Sequence, residues 1–279
     1  MSNVRIVTDS TAELPAEVIE ALEIAVVPWR IQLDGETLID TPAIRTPDFY
    51  RRRSRILPSA VPPTARQFAD VFDRCSRTTH EIVAVLPSSR LTLSVQVARQ
   101  ARAEFVGRCD VQLVDSRFIS CALGALVVEA ARAARAQTGA AEIVRYVNGL
   151  IARTYFAFHA ESPEQMLHHN LIENSPVALG SPSGYRPLLL LEQGEIAPLP
   201  RSRKRGDPIE RMVEFVSEFG PLEHLWTVST GLHPGLELLQ TRLSEDLPDK
   251  LFENHIYGPV MASYLGNSVL GVAAIEALL

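Results

Sequence analysis

Short apolar runs rich in β-branched residues recur along the chain. Each ends in hydroxyl-bearing residues just before a stretch with helical spacing. Residues 4–8 (VRIVT) lead into Asp9-Ser10-Thr11, residues 82–86 (IVAVL) pass through Pro87 into Ser88-Ser89, and residues 111–114 (VQLV) end in Asp115-Ser116. Trp226-Thr227-Val228-Ser229-Thr230-Gly231 repeats the arrangement late in the chain. Runs of this kind suit strands buried on both faces, and their alternation with helices predicts βα units with mainly parallel strands.

The intervening segments carry start and stop signals. A helix reads from Pro15 to about residue 22, another opens at Thr46-Pro47 with Phe49 and Tyr50, and Thr64 caps a third bearing Phe68, Val71 and Phe72. Residues 91–105 read as a helix, as do 208–219 and 236–243. Leu123, Leu126, Val127, Ala130, Ala131 and Ala134 share one helical face opposite Glu129, Arg132 and Arg135. Residues 24–33 form a strand that turns back at Asp34-Gly35 into 37–39, and Gln193-Gly194 turns 186–192 back into 195–199. Three prolines keep 57–63 extended, while 154–158 (TYFAF) is a further strand candidate and 251–257 and the final segment follow without an assignment. Near residue 155 the character changes, and 161–184 is rich in His, Asn, Ser and Pro. The expected architecture is two α/β domains, residues 1–155 and 156–279.

Residues 82–97 (IVAVLPSSRLTLSVQV) hold the densest hydroxyl cluster at a strand end: Ser88, Ser89, Thr92 and Ser94. In open α/β sheets ligands bind outside the carboxyl ends of the strands, where helix N-termini offer free N–H groups. The turn is therefore a natural seat for a polar or anionic head, although a helix N-cap is the simpler use of Ser88 or Ser89.

Composition narrows the function classes. A net charge of −6 over 279 residues argues against nucleic acid as the main partner. No apolar run is long enough to span a membrane, and MSNVRIVTDS has no apolar signal core, so a cytoplasmic location is expected. Cys75, Cys109 and Cys121 lack metal or disulfide-framework spacing. Of the 27 basic residues only Lys204 and Lys250 are lysines, and neither sits in a P-loop. Gly180-Ser181-Pro182-Ser183-Gly184 puts proline where a hydrolase elbow needs its nucleophile. His168 and His169 are adjacent and would diverge on a helix, with no third ligand at fixed spacing, and Asp9 and Asp115 read as helix-entry caps rather than cation ligands. Ser88 and Ser89 lack a sequence-visible base for esterase chemistry. A non-enzymatic binding protein with no cofactor and no metal is the expectation.

VTDSTAELP at 7–15, DGETLID at 34–40, SSRL at 88–91, VDSRFISCALG at 114–124, RPLLLLEQGEIAP at 186–198 and GPV at 258–260 together resemble the DegV family of bacterial lipid-binding proteins. The resemblance implies two α/β domains with a long-chain fatty acid held in a tunnel between them, presented to a separate fatty acid kinase that phosphorylates its carboxylate. The family's carboxylate clamp is degenerate here. Its Thr-Ser pair corresponds to Ala60-Val61, its Ser-Gly-Thr piece to Thr92-Leu93-Ser94, its C-terminal His to Tyr264, and its Gly-Gly-Arg turn to His169-Asn170-Leu171. The basic strip survives as Arg201-Ser202-Arg203-Lys204, which the resemblance makes a partner-docking patch. Ser88, Ser89, Thr92 and Ser94, with Tyr264 as a hydroxyl donor, are then the expected ligand contacts. The alternative is a binding or sensing protein for a different amphiphile, without a kinase partner.

Overall fold

The computed structural model describes residues 4–52, 58–161, 163–172, 188–199 and 207–278. Contacts group the chain into two compact units, Met1–Ile44 with Ser59–Ala152, and Arg45–Pro58 with Arg153–Leu279. The excursion of 45–58 into the second unit is a detour that a single boundary at 155 does not contain.

The strands of the first unit are β1 (Val4–Asp9), β2 (Ala25–Val27), β3 (Arg30–Leu33), β4 (Glu36–Ile39), β5 (Ser59–Val61), β6 (Glu81–Leu86) and β7 (Asp110–Asp115). Among the described residues one sheet runs β2-β1-β6-β7, with every pairing parallel. Its central β6 is buried at all but its first residue, as a strand covered on both faces should be. The helices are α1 (Ala16–Leu22), α2 (Pro47–Arg52, in the second unit), α3 (Ala65–Ser76), α4 (Ser94–Arg102), α5 (Ser120–Arg135) and α6 (Ala140–Ile151). On one face of the sheet Val7, Ala84 and Leu86 pack with Phe68 and Phe72 of α3 and Val95 and Ala98 of α4. The helix α3 starts where expected, because Thr64 and Gln67 form a reciprocal capping box.

The strand expected over 24–33 is interrupted at Pro28-Trp29. The Trp29 N–H donates to Ser10 Oγ at 3.0 Å instead of to a ladder, and β3 joins a separate antiparallel sheet β4-β3-β5. Asp34 and Gly35, at φ 54° and 79°, close the β3–β4 hairpin with both central residues left-handed, as the dipeptide predicts. The helix α6 has no counterpart among the sequence expectations, although Ile143, Val147 and Leu150 line its buried face at helical spacing.

The second unit is built on β8 (Thr154–Ala160), β9 (Leu189–Glu192), β10 (Glu195–Pro198), β11 (Leu222–Ser229), β12 (Glu253–Ile256) and β13 (Val269–Glu276), in the order β10-β9-β8-β13-β11-β12. The α/β class holds, but here the expected parallel pairing gives way: among the described residues only β11 and β12 run parallel. The physical reason lies in β13, which lies antiparallel between β8 and β11 and is buried over seven of its eight residues. Around it sit α7 (Glu164–His168), α8 (Pro208–Ser217), α9 (Leu236–Asp246) and α10 (Pro259–Leu265). Met212, Val216, Leu225, Leu239, Leu243 and Val272 form the core. No helix of the described residues is long and apolar enough to cross a membrane.

Two glycines test this packing in opposite directions. A Cβ at Gly124 of α5 would lie 2.5 Å from the Ala12 carbonyl oxygen, so Gly124→Ala is expected to cost about 1–3 kcal/mol. Gly149 of α6 faces open space, so Gly149→Ala is expected to add about 0.5–1 kcal/mol through helix propensity. Urea midpoints of the two variants check both signs.

Candidate functional site

At the carboxyl end of β6 the chain folds back on itself before α4. Ser88, fully buried, accepts the Arg90 N–H on its Oγ at 3.1 Å and donates its own N–H to the Phe118 carbonyl at 2.9 Å. The Thr92 N–H donates to the Ser88 carbonyl at 3.0 Å, and Thr92 Oγ1 accepts the Ser94 N–H at 3.4 Å. Ser89 is exposed and donates its Oγ proton to Asp115 Oδ2 at 2.5 Å. Neither Ser88 nor Ser89 caps the helix. The helix begins at Ser94, later than the spacing predicts, and its cap position is Leu93, which makes no side-chain bond.

Ser94 Oγ donates to Asp9 Oδ2 at 2.5 Å, and this bond opens onto a larger arrangement. The same Oδ2 accepts Trp29 Nε1–H at 2.9 Å, while Oδ1 accepts the Thr11 N–H at 3.0 Å and the Thr11 hydroxyl at 2.5 Å. Four donors thus converge on one fully buried carboxylate, which fills its acceptor sites. Burial pushes the Asp9 pKa up, and the bonds from Ser94, Thr11 and Trp29 pull against that rise. Asp9 does cap a short helical turn, as expected, but it also joins β1, the β2–β3 break and the start of α4. Asp115, the other expected cap, instead accepts from Ser89 and from the Arg117 N–H at 3.0 Å.

A second polar pair lies beside the first. Glu13 and Ser120, both buried and both at positive φ (53° and 61°), are joined by a hydrogen bond from Ser120 Oγ to Glu13 Oε2. The neighbouring Cys121 thiol is pushed far up by burial, so it is a poor nucleophile. Thr8 Oγ1 is buried without a hydrogen-bond partner among the described residues.

Ala60 and Val61 occupy β5, paired with Ile31 and Arg30, where they present only half-buried apolar side chains. In the second unit Tyr264 lies half-buried on α10, its ring 4.7 Å from that of His169. Partial burial and the adjacent His168 hold the His169 pKa below its usual value, against a backbone hydrogen bond at Ser263. Tyr264 and His169 thus form one contact, which their separation in sequence does not reveal. Arg201, Arg203 and Lys204 lie outside the described residues.

A third histidine is set at the end of β11. His233 Nδ1 accepts the Gly235 N–H at 3.0 Å, which places the proton of the neutral ring on Nε2. Nε2 is buried and has no hydrogen-bond partner among the described residues, with Glu161 Oε1 at 3.7 Å. Asn267 Oδ1 is likewise buried without a partner among the described residues. Since the ring proton occupies Nε2, His233 is not arranged as a metal ligand, and no group of His, Cys, Asp or Glu among the described residues is placed to hold a metal. His169 stood out in the sequence only beside His168 and in the altered turn at 169–171, and neither Trp29 nor His233 was singled out. The His-Pro-Gly run at 233–235, a turn signal after a strand, could have marked the last.

Two measurements probe these networks. Ser94→Ala removes one donor from a buried carboxylate and is expected to cost about 1–3 kcal/mol. Ser89→Ala, on an exposed pair, should cost less than about 1 kcal/mol in the same denaturation assay. Burial holds the His233 pKa below the usual 6.5, against the pull of Glu161. Its contribution to stability is therefore fully present above pH 6.5 and lost as the pH falls through the depressed native value, because protonation must displace the Gly235 N–H. His233→Asn keeps an acceptor at that position, and between pH 7.5 and 5.5 this variant should lose less stability than the wild type.

Comparison with known proteins agrees with the sequence resemblance. The model of the DegV family, described as uncharacterised proteins, matches residues 3–277. A DegV domain-containing protein of Deinococcus radiodurans is 25% identical over 97% of this chain and 98% of its own. A fatty-acid-binding DegV family protein from Thermus thermophilus shares the fold with a TM-score of 0.84 at 22% identity, covering 99% of this chain and 100% of its own. The fatty acid binding protein DegV of Bacillus subtilis gives the same TM-score at 20% identity, with the same coverage. A match over nearly the whole length makes the relationship plain: the chain belongs to the DegV family.

Proposed function

We propose that this protein binds a long-chain fatty acid or a related acyl lipid as a carrier, without catalysing a reaction itself, and presents it to a fatty acid kinase. The observation that carries this reading is the full-length DegV fold, shared with members described as fatty acid binding. The hydroxyl-lined turn at the end of β6 supports it, since ligands of α/β sheets gather at strand carboxyl ends. Ser88, Ser89, Thr92 and Ser94, with Tyr264, are the proposed head-group contacts, and Ala60 and Val61 the apolar neighbours of the clamp. Arg201, Arg203 and Lys204 are the proposed docking patch for the kinase.

Magnitudes favour retention of the acyl chain. Each buried methylene contributes about 0.8 kcal/mol, so a tail of about a dozen supplies about 10 kcal/mol gross. One hydrogen bond to a charged head contributes about 1.5–3 kcal/mol. Loss of two hydroxyls at 60 and 61 therefore weakens the choice of head more than the hold on the tail.

A second reading, an amphiphile with a different head and no kinase, is favoured by how the hydroxyls are used. Ser94 and Ser89 spend their protons on Asp9 and Asp115, which leaves lone pairs rather than protons for a ligand. Such a loop suits a head that donates, such as an alcohol, an amide or a protonated acid, better than a carboxylate.

Mass spectrometry of lipid extracted from the recombinant protein is the test. A stoichiometric acyl lipid is the expected result, and consistently empty protein would sink the proposal. A bound fatty acid that a fatty acid kinase converts to acyl phosphate supports the first reading over the second, and charge reversal at Arg201 and Arg203 should then slow that conversion.

A further inference from the structure

The parallel sheet of the first unit has two edges, and they are treated differently. At one edge β2 is three residues long and is followed by Pro28, which cannot donate to a ladder. At the other, β7 runs six residues with continuous register from Glu81↔Asp110 to Leu86↔Asp115, without proline or bulge. The N–H groups of Asp110 and Ser116 donate to the carbonyls of His80 and Leu86, on the β6 side. Strand alternation then turns the N–H groups of Val111, Leu113 and Asp115 to the open side, where nothing among the described residues accepts them. An unblocked edge of this length is a template for a further strand.

Beside this edge lies a cleft of about 610 Å³, whose lining includes Val111 and Gln112 of β7 together with His80, Arg102 and Arg108. Arg102 has no ion pair or hydrogen-bond partner among the described residues, and neither does the His80 side chain. Arg108 is held over the Phe105 ring, 5.3 Å from its centroid, and shares Asp73 at 3.1 Å. The one carboxylate in the lining, Asp110, already accepts Gln112 Nε2–H at 2.8 Å. The lining thus sets Arg102 and Arg108 against the single carboxylate of Asp110, an excess of positive charge on a chain whose net charge is −6, with Arg102 the unpaired cation among the described residues.

We propose that the β7 edge docks an extended acidic segment of a partner protein, which adds to the sheet as a strand and sets its carboxylates against Arg102, Arg108 and His80. Backbone pairing at Val111 and Leu113 supplies the hold, and the guanidinium groups choose acidic over neutral or basic sequences. The docking edge is independent of the lipid reading and of the strip at 201–204.

The probe is a fluorescein-labelled peptide alternating Glu and Thr, with a Lys-Thr peptide as its counterpart. Anisotropy should show saturable binding of the acidic peptide alone, weakened about tenfold by Arg102→Glu. Hydrogen exchange should slow at the Val111, Leu113 and Asp115 amides when the acidic peptide is bound. Leu113→Pro removes one outward N–H while sparing the ladder to β6, and it should abolish binding in protein whose circular dichroism is unchanged. If Leu113→Pro fails to fold, the Arg102→Glu and exchange results decide. Absence of binding overturns the proposal. So does binding that leaves those three amides unprotected or that inorganic phosphate displaces, since either result describes a small-anion site rather than an added strand.

Discussion

Burying a carboxylate is costly unless hydrogen bonds replace the water it loses, and the first unit is arranged around one such replacement. Asp9 ends the strand β1, and its four donors come from three places in the chain: its own following turn, Trp29 and Ser94. Each donor needs Asp9, and Asp9 needs all of them. The β2–β3 break, the start of α4 and the turn after β1 are thereby tied to one point. What reads in sequence as a row of separate helix caps is a single network.

Together with the separate Ser89–Asp115 bond, this network sets which protons the serine turn keeps free. A hydroxyl has one proton and two lone pairs, and the neighbours of Ser94 and Ser89 take the proton. Hydroxyl count alone therefore says little about which head group such a turn prefers. For the proposed site, the direction of each existing bond says more.

Legibility in the sequence followed the range of the interaction. The Asp34-Gly35 hairpin and the Thr64–Gln67 capping box are settled within a few residues, and both were readable. The strand at 24–33 was read through its break: Pro28 is a local stop, but the bond from Trp29 to Ser10 that fixes the new direction spans nineteen residues. Pairing direction in the second unit was equally hidden, except at the Gln193-Gly194 hairpin. The run at 269–275 is apolar throughout, and nothing local in such a run says whether its neighbours are parallel. The site divides the same way: the cluster of Ser88, Ser89, Thr92 and Ser94 was visible as composition, while its dependence on Asp9 and the pairing of His169 with Tyr264 were not.

Tyr257 gives the second unit an unusual dependence on time. Its carbonyl accepts the Tyr50 hydroxyl at 2.6 Å, its own hydroxyl donates to Gly266 at 2.9 Å, and the two rings meet edge to face. Tyr50 belongs to α2, so a short stretch from early in the chain completes a unit otherwise built from its last part. On the ribosome, α2 emerges 207 residues before the tyrosine that holds it. The second unit is thus discontinuous in the chain: a fragment starting at residue 153 would lack α2, and the first unit would have to close with a foreign segment looped out of it, waiting for synthesis to finish.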